Sequence, residues 1–297
     1  YKRSAIKLKD NGTLRLSNGR KGTAFEIEVS ALKKEPKYAE LIYNSNLDEY
    51  QIHIVVDIEN KKIEYETDKT LAIDLGVIHP LVTFDGEKVK IYNGGELNSY
   101  LRYRNKELSN LQQKMSRCEK YSNKWKKLNR ARGKLLEKSR NKINDLLQKY
   151  RSSLVGSCIE GEVSTIVIGD VKGIRADINY NSKSNQKLHQ WLAGKLYDLI
   201  KYKAQSVGIE VKLQDEAYTT QTCPQCGNRY KPQARNYKCS ECGFDYHRDG
   251  VGAINIWKKY LEVSQVEGVL ASPTGIRYKP NLCECFLLRS GRRPVGS

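Results

Sequence analysis

Two kinds of side chain in this sequence could do chemistry: a few acids at the ends of predicted strands, and two pairs of cysteines. The apolar run Leu71-Ala-Ile73 leads directly to Asp74, and Gly76 then lets the backbone turn away. A carboxylate at the end of a buried strand is costly unless it has a partner, most often a metal ion. Asp74 is therefore the first candidate metal ligand, and the other acids are considered as its partners.

The cysteine spacing predicts a metal site of a different kind. Four of the eight cysteines form two C-x-x-C pairs, each followed by a glycine: Cys223, Cys226, Cys239 and Cys242. This spacing in a basic chain predicts a zinc ribbon with four thiolate ligands, and such a closed shell predicts a structural Zn²⁺. Cys118 and Cys158 are expected to be buried as small apolar residues. The pattern assigns no role to Cys283 and Cys285.

The composition points to a polyanionic partner. The chain has 297 residues and a net charge of +18, from 52 Lys and Arg against 34 Asp and Glu. Nucleic acid fits this charge better than a membrane, because no apolar run approaches the roughly 20 residues that a membrane span needs. No signal peptide is visible, so we expect a cytoplasmic protein. The chain opens at Tyr1 in strand-like sequence, and we expect an N-terminal part of the protein to precede it.

The positive charge is concentrated in a predicted helical hairpin at 97–155. Residues 101–150 hold 16 Lys and Arg against four Asp and Glu, a net charge of +12. A charged helix face is often merely solvated, but such faces usually mix both signs. We therefore predict that the hairpin lies along a phosphate backbone. The basic residues predicted to contact nucleic acid are Arg102, Arg104, Lys114, Arg117, Lys124, Lys127, Arg130 and Arg132.

The order of predicted elements indicates an α/β fold. Apolar and polar side chains alternate along segments of residues 1–67, which predicts an antiparallel sheet or partial barrel. The Lys and Arg side chains of this sheet either contact phosphates or keep the sheet soluble. Three short strands at 71–95, a strand at 163–171, another at 208–213 and a final helix match an RNase H-like sheet. In that arrangement, acids at neighbouring strand ends meet the acid of the last helix, Asp249. Capping of that helix is the other use of Asp249.

Four segments resemble the TnpB (OrfB) family of insertion-sequence proteins, which is related to type V CRISPR effector nucleases. They are Ile73-Asp74-Leu-Gly76, Ile166-Val-Ile-Gly-Asp170, Tyr218-Thr-Thr-Gln-Thr-Cys223-Pro-Gln-Cys226, and Arg248-Asp249 through Ala253-Ile-Asn-Ile256. The resemblance implies a wedge-like β domain and a RuvC-type nuclease domain with an inserted zinc ribbon. It also implies a guide RNA, double-stranded DNA recognised beside a short adjacent motif, and Mg²⁺-dependent cleavage.

These expectations divide the chain into five segments. They are a partial wedge-like β domain at 1–67, a RuvC-like domain at 68–217 that includes the basic hairpin, a zinc ribbon at 218–245, the last RuvC-like helix at 246–262, and a basic tail at 263–297. We expect the helical domain that family members insert into the wedge region to be missing from these 297 residues, in keeping with a truncated start.

The sequence departs from the family at the second catalytic acid. The family usually has Glu where this chain has Gly169. Asp170 is a poor substitute because neighbouring strand residues point to opposite faces. Asp215 and Glu216 are better placed, since their strand should lie beside that of Gly169, and we predict that Glu216 is the relocated acid. Val251 is a second departure, because the family often has Asn there.

Three functional hypotheses follow. The first is an RNA-guided DNA endonuclease that binds Mg²⁺ through Asp74, Glu216 and Asp249. The second is a nuclease-dead RNA-guided DNA-binding protein, because Gly169 has replaced the usual acid. The third, a conventional transposase without RNA, has less need of the basic hairpin. Retention of both Asp74 and Asp249 favours the first hypothesis.

Overall fold

A computed structural model describes residues 1–29, 32, 34–57, 64–171, 181–232, 235–262 and 274–276. The chain divides into two compact units. One unit comprises Tyr1–Asn60 and Tyr103–Arg140, and the other comprises Lys61–Arg102 and Asn141–Ser297. This division differs from the predicted segments, because the middle of the helical hairpin groups with the N-terminal strands.

The first unit contains two small antiparallel sheets, as predicted for the N-terminal segment. Its strands are β1 (Ile6–Leu8), β2 (Thr13–Leu16), β3 (Phe25–Glu28), β4 (Pro36–Asn44) and β5 (Glu49–Val56). β1, β2 and β3 form one sheet, and β4 pairs with β5 in the other. Leu14, Leu16 and Ala39 form its buried centre. Helical residue Gly133 packs closely against the β4–β5 turn, where an added Cβ would lie 2.5 Å from the carbonyl oxygen of Asn46.

The second unit is organised around a mixed six-stranded sheet. The remaining strands of the chain are β6 (Lys69–Asp74), β7 (Leu81–Phe84), β8 (Val89–Tyr92), β9 (Val163–Asp170), β10 (Glu210–Asp215), β11 (Asn236–Lys238), β12 (Asp245–His247) and β13 (Thr274–Ile276). The sheet order is β10-β9-β6-β7-β8-β13. β6, β7 and β8 run antiparallel, whereas β9 and β10 run parallel beside β6. The Asp74 strand β6 is one of the two central strands of this sheet.

Helices pack on both faces of this sheet. The described helices of the chain are α1 (Gly95–Ser116), α2 (Asn123–Glu160), α3 (Ser182–His189), α4 (Ala193–Gln205) and α5 (Arg248–Leu261), and residues 103–140 of α1 and α2 belong to the first unit. Buried residues of α2 and α4, such as Leu147 and Ile200, form the larger core with β6 and β9. On the opposite face, Ile256 of α5 packs on Ala72 and Val167. None of the described helices is long and apolar enough to cross a membrane.

The structure also bears on two smaller predictions, which concern the C-terminal tail and the cysteines outside the ribbon. Part of the predicted tail belongs to the sheet, because residues 274–276 form β13 and pair in parallel with β8. The rest of the tail, including Cys283 and Cys285, lies outside the described residues. Cys158 is buried as predicted, but Cys118 is only partly buried, because it lies in the connection between α1 and α2.

Candidate carboxylate and thiolate metal centres

Asp74 ends the central strand and lies against the helix that crosses it. Ile73 beside it is fully buried in the core, so the alternation of the strand directs Asp74 to the α5 face. There the carboxylate contacts Gly252 so closely that an added Cβ would collide with Oδ2. Gly252 therefore makes room for the acid. No described residue donates a hydrogen bond to this carboxylate, which is the setting expected of a metal ligand.

Glu216 reaches into the space that a side chain at position 169 would fill. β10 runs parallel to β9, with Gln214 opposite Gly169. An ideal Cβ built on Gly169 would lie only 2.7 Å from Glu216 Oε2 and 3.0 Å from Ile256 Cδ1. The Glu216 carboxylate therefore occupies the space next to Gly169, and a side chain at 169 would have to displace it. This is the arrangement expected of a relocated acid.

The neighbouring acid Asp215 is used differently. Its side chain is exposed, lies 3.3 Å from Lys259 Nζ, and accepts a hydrogen bond from the backbone N–H of Ala217. The backbone hydrogen bond and the lysine hold the pKa of Asp215 below its usual range. The structure thus separates the two candidates, because Asp215 faces a lysine at the surface and Glu216 faces the Gly169 gap.

Asp249 lies in the first turn of α5, but it is not the capping residue. The N-cap is His247, and no side chain caps this helix end. Instead, Asp249 Oδ2 lies 3.3 Å from Arg235 Nη1 and 4.0 Å from His79 Nε2. Oδ1 lies 4.0 Å from Arg248 Nε. Asp249 is therefore held by cations and imidazoles, a neighbourhood that the sequence pattern did not indicate.

The three acids interact electrostatically without forming a closed cluster. Burial, then the charges of Glu216 and Asp249, raises the pKa of Asp74 to about 8. Burial, then the charges of Asp170 and Asp215, raises the pKa of Glu216 to about 7. Among the described residues, the donor atoms of Asp74, Glu216 and Asp249 do not all come within 4.8 Å of one another.

The raised pKa of Asp74 predicts a cost in stability when divalent ions are removed. The group titrates near 8 in the folded chain and near 3.8 when unfolded, so its ionisation opposes folding as pH rises above 4. Part of the side chain remains accessible to solvent. We therefore expect Asp74→Asn to stabilise the zinc-loaded protein in Mg²⁺-free buffer by about 2 kcal/mol at pH 7.

Urea unfolding at pH 7 and pH 4 measures this effect, and the difference between variant and wild type should disappear at the lower pH. Asp215→Asn is the matched control, because the pKa of Asp215 is lowered and its loss should not stabilise the protein. A variant Asp74→Asn that is no more stable than wild type at pH 7 contradicts the prediction.

The four predicted thiolates converge as the spacing indicated. All four sulfur atoms lie within 4.8 Å of one another, with 3.6 Å between Cys223 and Cys242 and 3.5 Å between Cys226 and Cys239. Four sulfurs at about 2.3 Å from a tetrahedral ion would lie about 3.8 Å apart. The donor set and its spacing therefore fit Zn²⁺ with little rearrangement.

The two C-x-x-C-G turns at 223–227 and 239–243, here called the first and second knuckle, have the same backbone conformation. Gly227 and Gly243 follow the second cysteine of each pair with φ of 76° and 74°, a conformation that favours glycine. Each turn is closed by a bond from the glycine N–H to the carbonyl of the first cysteine. Burial opposes ionisation of Cys239, but hydrogen bonds from the N–H groups of Cys242 and Glu241 and from the neighbouring thiols together lower its pKa.

Asn255 anchors the segment that joins Glu216 to the first knuckle. Its side chain is 5% exposed and donates to the carbonyl oxygens of Thr219 at 2.6 Å and Thr222 at 2.7 Å. The residue lies in the Ala253-Ile-Asn-Ile256 segment singled out in the sequence, but its role is visible only in three dimensions. Asn255 therefore links the position of Glu216 to the cysteine ribbon.

Replacing Asn255 with Ala should destabilise the second unit by about 3 kcal/mol, because two carbonyl oxygens lose their donor. Chemical denaturation followed by tryptophan fluorescence measures this loss. The exposed Asn110→Ala is the control and should change little. If Asn255→Ala unfolds at the same denaturant concentration as wild type, Asn255 is not the anchor.

Most of the predicted nucleic-acid contacts are exposed on the two long helices and their connection. Arg102, Lys114, Arg117, Lys124, Lys127 and Arg130 are exposed. Arg104 and Arg132 are only partly buried, and burial lowers the pKa of Arg104. Six of the eight side chains are thus available to a ligand.

The models of two protein families match successive parts of the chain. The OrfB_IS605 family, described as a probable transposase, matches residues 53–175. The Cas12f1-like TNB domain matches residues 194–256. The first match includes Asp74 and β9, and the second includes Glu216, the four cysteines and Asp249.

Curated relatives agree with these matches. A TnpB-like protein of Methanocaldococcus jannaschii is 32% identical over 147 residues, which are 49% of this chain and 52% of that protein. The CRISPR-associated endodeoxyribonuclease Cas12f1 of Sulfoacidibacillus thermotolerans is 27% identical over 249 residues, 78% of this chain and 53% of that protein. The chain thus spans about half the length of these relatives.

The fold is similar to that of a solved Cas12f1 complex with single-guide RNA and target DNA. The similarity covers 74% of this chain and 55% of that protein, with a TM-score of 0.50 and 18% sequence identity. At this identity the comparison concerns the fold alone.

Proposed function

Because the chain belongs to the TnpB (OrfB) family, we propose that it carries the nuclease part of an RNA-guided DNA endonuclease of transposon origin. Its partners are a guide RNA and a double-stranded DNA target, as in the Cas12f1 complex with a similar fold. The second unit is the RuvC-type, RNase H-like nuclease domain, and the cysteine ribbon holds a structural Zn²⁺. Sequence specificity comes from pairing between guide and target.

The position of Glu216 is the observation that carries this proposal. A nuclease-dead protein would have lost the second acid with the glycine at 169. Instead, a carboxylate oxygen lies 2.7 Å from where the missing Cβ would be, on the face that Asp74 occupies. The charges of Glu216 and Asp249 both act on Asp74. The site therefore keeps three acids, and the DNA-binding alternative is not favoured.

The donor set suits Mg²⁺, which prefers carboxylate oxygens and retains several waters. Asp74, Glu216 and Asp249 would hold the ions, which activate water and stabilise the leaving oxygen during phosphodiester cleavage. The raised pKa of Asp74 and Glu216 means that both acids gain from a nearby cation. Gly252 and Gly169 leave the space in which these two carboxylates lie.

The exposed basic residues of α1 and α2 serve nucleic-acid binding in this proposal. Contacts from Lys and Arg to phosphates supply affinity without sequence preference, which suits a protein that leaves sequence recognition to a guide. Residues 101–150, which include most of these two helices and their connection, carry a net charge of +12, two thirds of the excess of the whole chain.

Cleavage of a matched plasmid in Mg²⁺ tests the proposal, with the full-length protein purified with its RNA. Wild type is expected to cut, and Asp74→Ala is expected to bind the plasmid without cutting. Asp215→Ala should cut like wild type, because its exposed carboxylate pairs with Lys259 and accepts from the backbone N–H of Ala217. A wild-type complex that binds the plasmid and never cuts it overturns the proposal.

A further inference from the structure

The segment after β6 and the start of α5 bring two histidines and one acid together beside the proposed nuclease centre. One donor atom from each of His79, His247 and Asp249 lies within 4.8 Å of the others. The two imidazole rings are 5.4 Å apart and meet edge to face at 69°. These are two of only four histidines in the chain. Neither histidine is among the proposed ligands of the carboxylate centre.

Both imidazoles have an unused nitrogen. His79 Nδ1 and His247 Nδ1 are buried and have no hydrogen-bond partner among the described residues. A buried imidazole nitrogen without a partner is costly in a folded protein. Coordination of a cation removes this cost at a nitrogen that carries a lone pair. The two rings therefore have donor capacity that the described residues do not use, and His79 Nε2 is the ring nitrogen that faces Asp249 Oδ2, at 4.0 Å.

The scaffold that holds these donors is fixed by hydrogen bonds. The segment carrying His79 is held by Trp191 Nε1, which donates to the carbonyl of Gly76, and by Asn98 Nδ2, which donates to the carbonyl of Val77. His247 ends β12 and pairs with Asn236 of β11. Donors on supported elements are brought to an ion at a smaller entropic cost than donors on free loops.

We propose that His79, His247 and Asp249 form a binding site for a divalent transition-metal ion, which is distinct in its ligands from the all-carboxylate Mg²⁺ centre and shares Asp249 with it. Imidazole nitrogens favour ions from Mn²⁺ to Zn²⁺ over Mg²⁺, whose usual ligands are oxygens. Bonds of about 2.1 Å place donors roughly 3.0 to 4.2 Å apart, so the trio needs to contract by less than about 2 Å.

Arg235 is the competitor for this site. Its guanidinium lies 3.3 Å from the same Asp249 oxygen that faces His79. An ion at the three-residue site would take the place of this positive charge beside Asp249. Removal of the Arg235 side chain should therefore tighten ion binding, whereas removal of either imidazole should weaken it. The two opposite directions distinguish a metal site from a general loss of structure.

The role of the site beside a nuclease centre rests on the proposed function, but the existence of the site does not. Mn²⁺ is the probe. It binds thiolates weakly and therefore does not displace the zinc ion from the cysteine ribbon. The experiment uses the untagged, zinc-loaded chain in excess Mg²⁺. Continuous-wave electron paramagnetic resonance counts bound Mn²⁺, and pulsed measurements detect coupling to imidazole ¹⁴N.

We expect bound Mn²⁺ that is coupled to nitrogen in the wild type. His79→Ala and His247→Ala should each weaken Mn²⁺ binding at least about tenfold and reduce the nitrogen coupling. Arg235→Ala should strengthen binding several-fold. The matched controls are His53→Ala and His189→Ala, which remove the two exposed histidines and should behave like wild type. Unchanged melting temperatures identify variants that remain folded.

Wild-type Mn²⁺ without nitrogen coupling overturns the proposal without any variant, as does the absence of Mn²⁺ binding in excess Mg²⁺. Equal coupling in wild type, His79→Ala and His247→Ala overturns it as well. None of these results bears on plasmid cleavage. Conversely, failure of Mg²⁺-dependent cleavage would leave a nitrogen-coupled Mn²⁺ site intact, so the two proposals fail separately.

Discussion

Glu216→Ala should slow DNA cleavage by about 10²–10³-fold, with target binding unchanged, when the full-length protein is assayed with its guide RNA. The variant removes the only carboxylate that enters the gap at Gly169 among the described residues. Asp74 and Asp249 would remain, but two acids cannot supply the ligands that three provide. Single-turnover cleavage of a labelled target in Mg²⁺ measures the rate.

Two matched controls sharpen this result. Asp215→Ala changes the adjacent residue and should retain the wild-type rate, because that side chain pairs with Lys259 at the surface. Asp170→Ala changes the acid that follows Gly169 in the sequence. Loss of cleavage in Asp170→Ala together with normal cleavage in Glu216→Ala would show that the second acid was assigned to the wrong strand.

Loss of the thiolate site should have the largest effect on stability. A structural Zn²⁺ supplies about 10–16 kcal/mol of apparent binding free energy, so one of four thiolates accounts for about 3 kcal/mol, or roughly a hundredfold in affinity. Cys239→Ser should therefore lose zinc to a chelator far more readily than wild type. Metal analysis after dialysis against graded chelator concentrations measures the difference.

Loss of the zinc ion should also disturb the carboxylate site. Thr222 precedes Cys223 and accepts a hydrogen bond from Asn255, which also holds Thr219 three residues after Glu216. Unfolding of the ribbon would release this segment, and cleavage should fall with zinc content. Cys118→Ser is the control, because Cys118 lies outside the cluster. Full activity in zinc-free protein would contradict this coupling.

The sequence predicted the parts of the site that depend on strand order. Asp74 ends an apolar run, and the parallel pairing of β10 with β9 follows from the order of elements, so the meeting of Glu216 with Gly169 was predictable. The cysteine cluster was predictable because its ligands come in two local pairs. In both cases the information is carried by short segments and by general rules of sheet topology.

Other features of the fold and of the site depend on exposure or on contacts between distant segments, and local sequence patterns do not predict them. Most residues of strand β4 are exposed on both faces, so its sequence lacks the alternation that fixes the bounds of a half-buried strand. The grouping of residues 103–140 with the N-terminal unit depends on a close approach such as Gly133 to Asn46. His79 and Arg235 reach Asp249 from separate segments, and no local pattern marks either residue.

Return of the acid to position 169 is the most direct test of the central claim, which is that Glu216 replaces the side chain absent at Gly169. The variant combines Glu216→Ala with Gly169→Glu. A Cβ at 169 would then lie 3.5 Å from the Cβ that remains at position 216, and it would require only a small shift of Ile256 Cδ1, a flexible end. We predict cleavage within about tenfold of the wild-type rate, against the roughly 10²–10³-fold loss in Glu216→Ala alone. A double variant that binds target DNA but is as slow as Glu216→Ala would contradict the claim.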